Sequence, residues 1–487
     1  MRIVIYILGL CSLILVGCTT KEEKTLHVSD DALLLFNATI INVEDGSVSK
    51  QKAILIDSSI IKAIGSYSEY RTYAKSENQI DVANKFVIPG LWDMHIHIEG
   101  KDIVEDNKAL LALYLAYGIT TVRDCASDLG EQVLKWRDDI NSGSIDGPQI
   151  FTAGRKLEGI NSIWKDDIEI SNTKELDSAL NLLDNYRVDF VKITENTLEE
   201  LLFLESVKAA SKRGYLVSGH VPIGLTIESL ANSGFSSIEH ASYLLRLGSD
   251  EKQVVADLTS GVITKAEANQ HYSDNFNQEL AIENYKEIAK THISVTPTLI
   301  GGKQLAYLDE NNHENDDYLK YLTKRFTDNY QWRIDRMAND TPIDKEDRKK
   351  KYQLIAAQLP YIQAAGIRIL AGSDSAALNT FVYPALALHE ELQLFQDAGL
   401  TPLQILQSAT INGAEFLGVK EKMSTIDEGK KANLVILNSN PLQDIKATLD
   451  IDAVINKGHF YNRTDLDAIL EQVELTKKAL DNHRTNF

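Results

Sequence analysis

Two textures of apolar and polar positions divide the chain. Between Ala32 and Gly65, short apolar runs alternate with polar residues in "ALLLFNATIINVEDG" and "KQKAILIDSSIIKAIG", and Val43-Glu44-Asp45-Gly46 supplies a turn between them. The same texture returns near the other end in "STIDEGKKANLVILNSN" and "DAVINKGHFYN". Neither piece has enough apolar residues for a core of its own. This predicts one small β-sandwich domain built from residues 31–86 and 420–463 together. From 87 to 419 the texture changes. Apolar runs that read as buried strands ("FVIPGLWDMHIH", "GITTVRD", "PQIFTAG", "DFVKIT", "LVSGHV", "SSIEHA", "ISVTPTLI", "IRILAGSD") alternate with segments of helical period at 174–186, 198–211 and 226–232. Eight buried strands with helical crossovers predict an α/β fold, a (β/α)8 barrel of the TIM type. Pro384 and Pro402 stand where helix starts are expected after the eighth strand. Two long helical stretches, 244–292 and 316–365, exceed a minimal barrel and read equally as a lid, a partner surface or peripheral decoration. Residues 464–487 read as a C-terminal helix or tail.

The first residues read differently. Ile3 to Val16 are nearly all apolar behind a single positive charge, Arg2, which is short for a membrane span and suits a signal peptide. Leu15-Val16-Gly17-Cys18 resembles the bacterial lipobox. Residues 1–17 are therefore expected to be removed and Cys18 to be lipidated. Residues 18–30 would tether an exported lipoprotein at the outer membrane or cell surface. Lys21-Glu22-Glu23 resembles the surface-export signal of some Gram-negative lipoproteins and equally suits a solvated tether. Cys11 leaves with the signal and Cys18 is acylated, so Cys125 stands alone and no disulfide framework is expected.

Composition narrows the function classes without choosing one. The chain has 487 residues, 44% apolar and 25% charged, a globular mixture, and a net charge of -20 that argues against nucleic acid as a partner. A homo-oligomer is compatible with this.

The chemistry is carried by six residues, each closing one of the apolar runs: His95 and His97, Lys192, His220, His240 and Asp374. In a parallel barrel the C-terminal strand ends converge on one mouth. His95 and His97 are two apart on a strand and so share a face, which suits two imidazoles on one cation. Lys192 lies in a run that would be buried on both faces, where a bare ammonium costs several kcal/mol. Burial lowers its pKa, and the resulting amine can capture carbon dioxide as a carbamate, an anionic bridge between two cations. His220 and His240 would complete a second metal, Gly219 allows close backbone approach, and Asp374 can bind metal and carry a proton. Glu239 alternates to the other face and is not counted as a ligand. Arg155 is a candidate for gripping a substrate carboxylate, with a structural salt bridge as its other reading. Arg123, Asp124 and Cys125 read as structural.

This set resembles the amidohydrolase superfamily, binuclear type with a carboxylated lysine. The motifs "TTVRD", "DFVKI", "GHV", "IEHA" and "VTPTL" are most similar to its branch of imidazolonepropionase-like proteins and Xaa-Pro or basic-residue dipeptidases. The resemblance implies that His95, His97, Lys192 and Asp374 bind a buried metal, and that Lys192, His220 and His240 bind an exposed one. Many members of that branch carry Gly-Gly-His after the third strand, where this chain has Leu157-Glu158-Gly159-Ile160-Asn161-Ser162. Substrate assignments tied to that loop do not transfer. The expected activity is hydrolysis of a C–N bond in an amide, cyclic amide or dipeptide. Two divalent ions, Zn²⁺ by the mixed imidazole and carboxylate donors, would hold a bridging hydroxide, with Asp374 as proton shuttle. The rivals are a mononuclear deaminase of the same superfamily, which Lys192 argues against, and a retired surface binding protein, which the intact ligand set argues against.

Overall fold

The structure is a computed structural model that describes residues 26–484; the expected signal segment and Cys18 lie outside the described residues. Strands from both ends of the chain join in one sheet. Its order is His459–Asn462, Ile451–Asn456, Leu434–Leu437, Phe86–Pro89, Leu33–Ile41, Val48–Asp57 and Ile60–Gly65, with Gln79–Asp81 beside Leu33–Ile41. The two ends meet at Phe86–Pro89, which runs antiparallel to Leu434–Leu437 and parallel to Leu33–Ile41. Side-chain alternation sorts the apolar residues by face. Leu35, Ile54 and Ile56 cluster with Leu434, Ile436 and Ile455, while the pair Leu34 and Leu55 joins Ala32, Ala53 and Ala63 on the opposite face. The first of these cores needs residues from both ends of the chain, as their separate poverty in apolar residues requires.

The central part holds eight short parallel strands: β1 (Leu91–Ile96), β2 (Ile119–Asp124), β3 (Gln149–Thr152), β4 (Val191–Ile193), β5 (Val217–Gly219), β6 (Phe235–Glu239), β7 (Ser294–Thr296) and β8 (Arg368–Ile369). Strands β1 to β3 form one sheet, and β4 to β8 form another, edged by the short strands Leu157–Glu158 and Ile168–Glu169. Backbone hydrogen bonds cross both gaps between these sheets. On one side Met94 N donates to Ala371 O at 2.8 Å and Asp374 N to His95 O at 2.7 Å; on the other, Asp189 N donates to Thr152 O at 2.9 Å. Helices such as Thr173–Tyr186, capped by the Asn172 side chain, and Glu200–Lys212 cover the sheets with Leu176, Leu180, Phe203 and Val207.

Three details depart from the sequence pattern. The run "FVIPGLWDMHIH" is two strands in different sheets, because Pro89 and Gly90 break it and a Cβ at Gly90 would stand 2.1 Å from Thr120 Oγ1. The strand in "ISVTPTLI" stops at Thr296, before Pro297, and Leu299 opens a helix. Pro402 does begin the helix Pro402–Ser408, but Pro384 precedes Leu386–Asp397 by two residues and lies outside it. The stretch 316–365 contains the helices Lys324–Asp328, Gln331–Met337 and Pro342–Ala365, and 244–292 contains Glu251–Thr259, Lys265–Asp274 and Gln278–Ala289. The C-terminal helix Arg463–Arg484 lies against Val104–Ala116. Among the described residues no helix is long and apolar enough to cross a membrane.

Candidate metal centre

The parallel strands deliver donor atoms to one place. His95 in β1 and His97 just past its end approach within 3.3 Å through their Nε2 atoms, and Asp374 Oδ1 lies 3.3 Å from both. His220 follows β5 and His240 follows β6, and their Nε2 atoms are 3.2 Å apart. The His95 and His240 rings, 5.3 Å apart, join the two groups. Lys192 comes from β4 and is 1% exposed. It lines one cavity of about 90 Å³ with His97, His220, His240 and Asp374. Close packing is built in at Gly219, where a Cβ would stand 2.1 Å from Ile193 O, and at Gly372, where it would stand 2.7 Å from His95 N.

The outer nitrogens settle the tautomers. His95 Nδ1 meets Glu239 Oε2 at 2.8 Å, His97 Nδ1 the Ala126 carbonyl at 2.8 Å, and His220 Nδ1 Glu195 Oε2 at 2.9 Å. His240 Nδ1 meets Thr298 Oγ1 at 2.6 Å, and that hydroxyl donates its own proton to Pro297 O. Every partner is therefore an acceptor, so each Nδ1 carries the hydrogen and each Nε2 presents a lone pair. Burial pushes the His95 imidazole down to about 4 and holds His240 well below its usual range, which favours neutral rings at these two positions, whereas at His97 burial is outweighed by Asp374 and Glu99, which raise the pKa. Nε2 atoms that face one another at 3.2–3.3 Å suit a shared Lewis acid. Burial pushes the Asp374 carboxyl up, but the rings of His95, His97 and His240, where they carry a proton, outweigh it and lower its pKa. The Lys192 Nζ is buried without any hydrogen-bond partner, and burial lowers its pKa against the pull of Glu239. The donor set thus fits divalent metal, and the orphaned amine leaves room for an anionic extension of Lys192.

Glu239 corrects the strand-alternation reading. It does not face away: it is fully buried beneath the site and orients His95. His240 has φ +79°, so the alternation of β6 breaks between the two residues and both side chains turn inward. Arg123 in β2 grips both Glu239 oxygens at 2.9 Å and reaches Met94 O, Ser218 Oγ and Thr296 Oγ1, tying β1, β2, β5, β6 and β7 together below the donors. Despite burial, Arg123 and His95 hold the Glu239 carboxyl well below the usual range. Removing one partner of a fully buried pair leaves the other charge uncompensated. Arg123→Met is therefore expected to cost about 3–5 kcal/mol in urea unfolding of chelator-treated protein, and Arg123→Met with Glu239→Gln to recover part of it. A loss below about 1 kcal/mol would put the pair in the class of weak surface bridges.

Further carboxylates support the donors, and of these Glu195 went unread in the sequence. Glu195 fixes His220 and accepts from Tyr243 Oη at 2.7 Å; burial raises its pKa, but His220 and Tyr243 bring it to about 2. Asp93 takes the Ser373 hydroxyl and the Ser373 and His95 backbone N–H groups, locking β1 to the turn that carries Asp374. The spacing of Glu195, three past Lys192, carries no signal that would mark it. Arg155 stands apart from the cluster. Its guanidinium donates to the carbonyls of Asp166 and Asp167, so it braces a loop, and its neighbour Lys156 lines the cavity instead.

Parallel strands that carry imidazoles, a carboxylate and a buried amine at their C-terminal ends define an α/β protein with a candidate metal site. The sequence matches the model of the Amidohydrolase family over residues 86–460, and the chain belongs to that family. It is thus a hydrolase acting on carbon–nitrogen bonds. It is similar to ochratoxinase of Aspergillus niger, 22% identical over 471 residues that cover 89% of this chain and 87% of that protein. Imidazolonepropionase of Thermoplasma volcanium is 31% identical over 98 residues, 20% of this chain and 23% of that one. Among solved structures, a Xaa-Pro dipeptidase with bound methionine superposes with a TM-score of 0.63 at 20% identity, covering 88% of this chain and 100% of that one. At that identity the likeness speaks to the fold.

Proposed function

We propose that the chain is a two-metal hydrolase of small amides, cyclic amides or dipeptides. The observation that supports this best is the set of four imidazoles whose Nδ1 atoms are all engaged while their Nε2 lone pairs face inward around a partnerless buried amine. The names of its relatives, a dipeptidase and an ochratoxinase, agree with that substrate range. The bonds across both gaps between the parallel sheets fit a closed (β/α)8 barrel, with the sheet of the chain ends as a small β-sandwich domain.

His95, His97, Lys192 and Asp374 would hold one divalent ion, and Lys192, His220 and His240 a second, with Zn²⁺ suited to these donors. Lys192 would serve both as a carbamate, formed when its neutral amine adds to the carbon of carbon dioxide, one C–O π bond becomes the carbamate oxyanion and one proton leaves the nitrogen. When bound, such ions polarise a carbonyl and lower the pKa of water. The protein's own residues then do the rest. Glu239, the Ala126 carbonyl, Glu195 and Thr298 keep the four imidazoles in the coordinating tautomer. Asp374, ionised at rest, accepts a proton at its carboxylate and delivers it to the leaving nitrogen.

Metal content tests the reading. Protein grown with ample metal is expected to carry two divalent ions per chain by elemental analysis. Chelation should abolish hydrolysis of an N-acyl amino acid and dipeptide library, and added Zn²⁺ should restore it. Less than one ion per chain would overturn the proposal.

A further inference from the structure

The helix Gln331–Met337 carries a cation that the hydrolytic roles above leave unused. Arg333 lines the donor cavity and also a neighbouring one of about 370 Å³, which shares His240 and Asp374 with it. Its guanidinium is held from one edge and from behind. Nε donates to Leu378 O at 3.0 Å, Nη2 donates to Asn379 Oδ1, and the Trp332 ring lies 4.8 Å from the guanidinium carbon. Asn379 in turn donates from Nδ2 to Asp374 O at 2.6 Å. Arg333 is thereby built onto the same turn that carries Asp374. Among the described residues no carboxylate forms an ion pair with it, although Asp374 and Glu99 act on its charge against burial, and Nη1 donates to no protein acceptor. The larger cavity has Arg348 and Lys351 in its wall and no acid besides Asp374; Arg348 is already paired with Asp340. Its remaining wall is largely apolar, with Leu299, Leu305, Tyr352 and Ile355.

A fixed guanidinium with a free edge, beside a cavity where Arg333 and Lys351 outnumber the single carboxylate of Asp374, is matched by a further carboxylate. Its place next to Asp374 says which half of the substrate brings that carboxylate, because Asp374 serves the leaving nitrogen. Resting on the hydrolase reading above, we propose that Arg333 is the specificity-determining seat for a carboxylate on the leaving-amine half of the substrate. The substrates are then N-acyl amino acids or dipeptides with a free C-terminus. Apolar or acidic side chains suit the cationic cavity, and basic ones are disfavoured. The acyl half is left to the side of the donor cavity lined by Lys156, Trp164 and Leu378.

The test compares N-acetyl derivatives of leucine, glutamate and lysine, each as free acid and as carboxamide. Hydrogen bonds to charged groups are worth a factor of roughly 10 to 150, and the wild type is expected to prefer leucine and glutamate acids over their amides by that factor in kcat/KM, with lysine last. Arg333→Met should bring the acid-to-amide ratio close to one, mainly through KM, and Arg333→Lys should keep part of it. A role confined to bracing Leu378 and Asn379 would slow acid and amide alike. Calorimetric titration of the same compounds into Asp374→Asn protein, with and without Arg333→Met, reads the seat without turnover. Acid-over-amide binding that Arg333→Met abolishes supports the seat even if nothing in the panel is hydrolysed, a result that would count against the proposed substrate range alone. Hydrolysis with the ratio unchanged in Arg333→Met, or no acid favoured over its amide in either assay, would overturn the seat.

Discussion

Lys192→Met is expected to yield an inactive protein that is more stable, in its metal-free state, than the parent. The Nζ of Lys192 is buried with no hydrogen-bond partner, and a buried unsatisfied polar group costs about 1–3 kcal/mol. Methionine has nearly the same length, fills the same space in β4 between Val191 and Ile193, and removes that cost. The function suffers in the opposite sense, since even outer-shell changes around a metal cost roughly 10- to 100-fold and Lys192 would be a shared ligand. The expected loss is therefore beyond about 100-fold, with metal content falling alongside. In Lys192→Ala, where space opens, a short acid such as propionate is expected to restore part of the activity by supplying the missing carboxylate. Lys192→Arg stays inactive because a guanidinium does not form the carbamate. Unfolding of chelator-treated protein reads the stability, and turnover with elemental analysis reads the function. Full activity in Lys192→Arg would remove the bridging role.

Asp374→Asn is expected to lose roughly 10²- to 10⁴-fold in turnover, the usual range for general acid–base catalysis, while KM changes little. The backbone of this residue is fixed independently of its side-chain charge. Its N–H donates to His95 O, and its carbonyl accepts from Asn379 Nδ2. Asparagine can keep an oxygen where Asp374 Oδ1 now stands, 3.3 Å from His95 Nε2 and from His97 Nε2. What it cannot do is accept and return a proton. The measurements are turnover, KM and bound metal on a substrate that the library identifies. Turnover near wild type with both metals retained would leave Asp374 a ligand only.

His95, His97, Lys192, His220, His240 and Asp374 could be picked out in the sequence because each is a polar or ionisable residue closing an apolar run, where desolvation makes such a residue costly without a partner. The alternation of strands and helices from 87 to 419 and the shared core of the two chain ends were legible for the same reason: burial imposes a period on the sequence. The partners of those six residues were not. Glu239 had to be placed by the reversal at His240, a positive φ that no periodicity reveals, and Arg123 by the stacking of strands far apart in the chain. Glu195, Thr298 and Asp93 act through hydrogen bonds whose geometry depends on register between segments, which local sequence does not encode. Arg155 and Arg333 make the point most sharply. Both are arginines that no local pattern assigns, and for Arg155 the sequence left a carboxylate grip and a structural salt bridge both open. Folding turns Arg155 onto the carbonyls of its own loop and brings Arg333, from a helical insertion, up against the turn of Asp374. Burial is written residue by residue in the chain, whereas the direction in which a long cationic side chain spends its hydrogen bonds is settled only when distant segments pack.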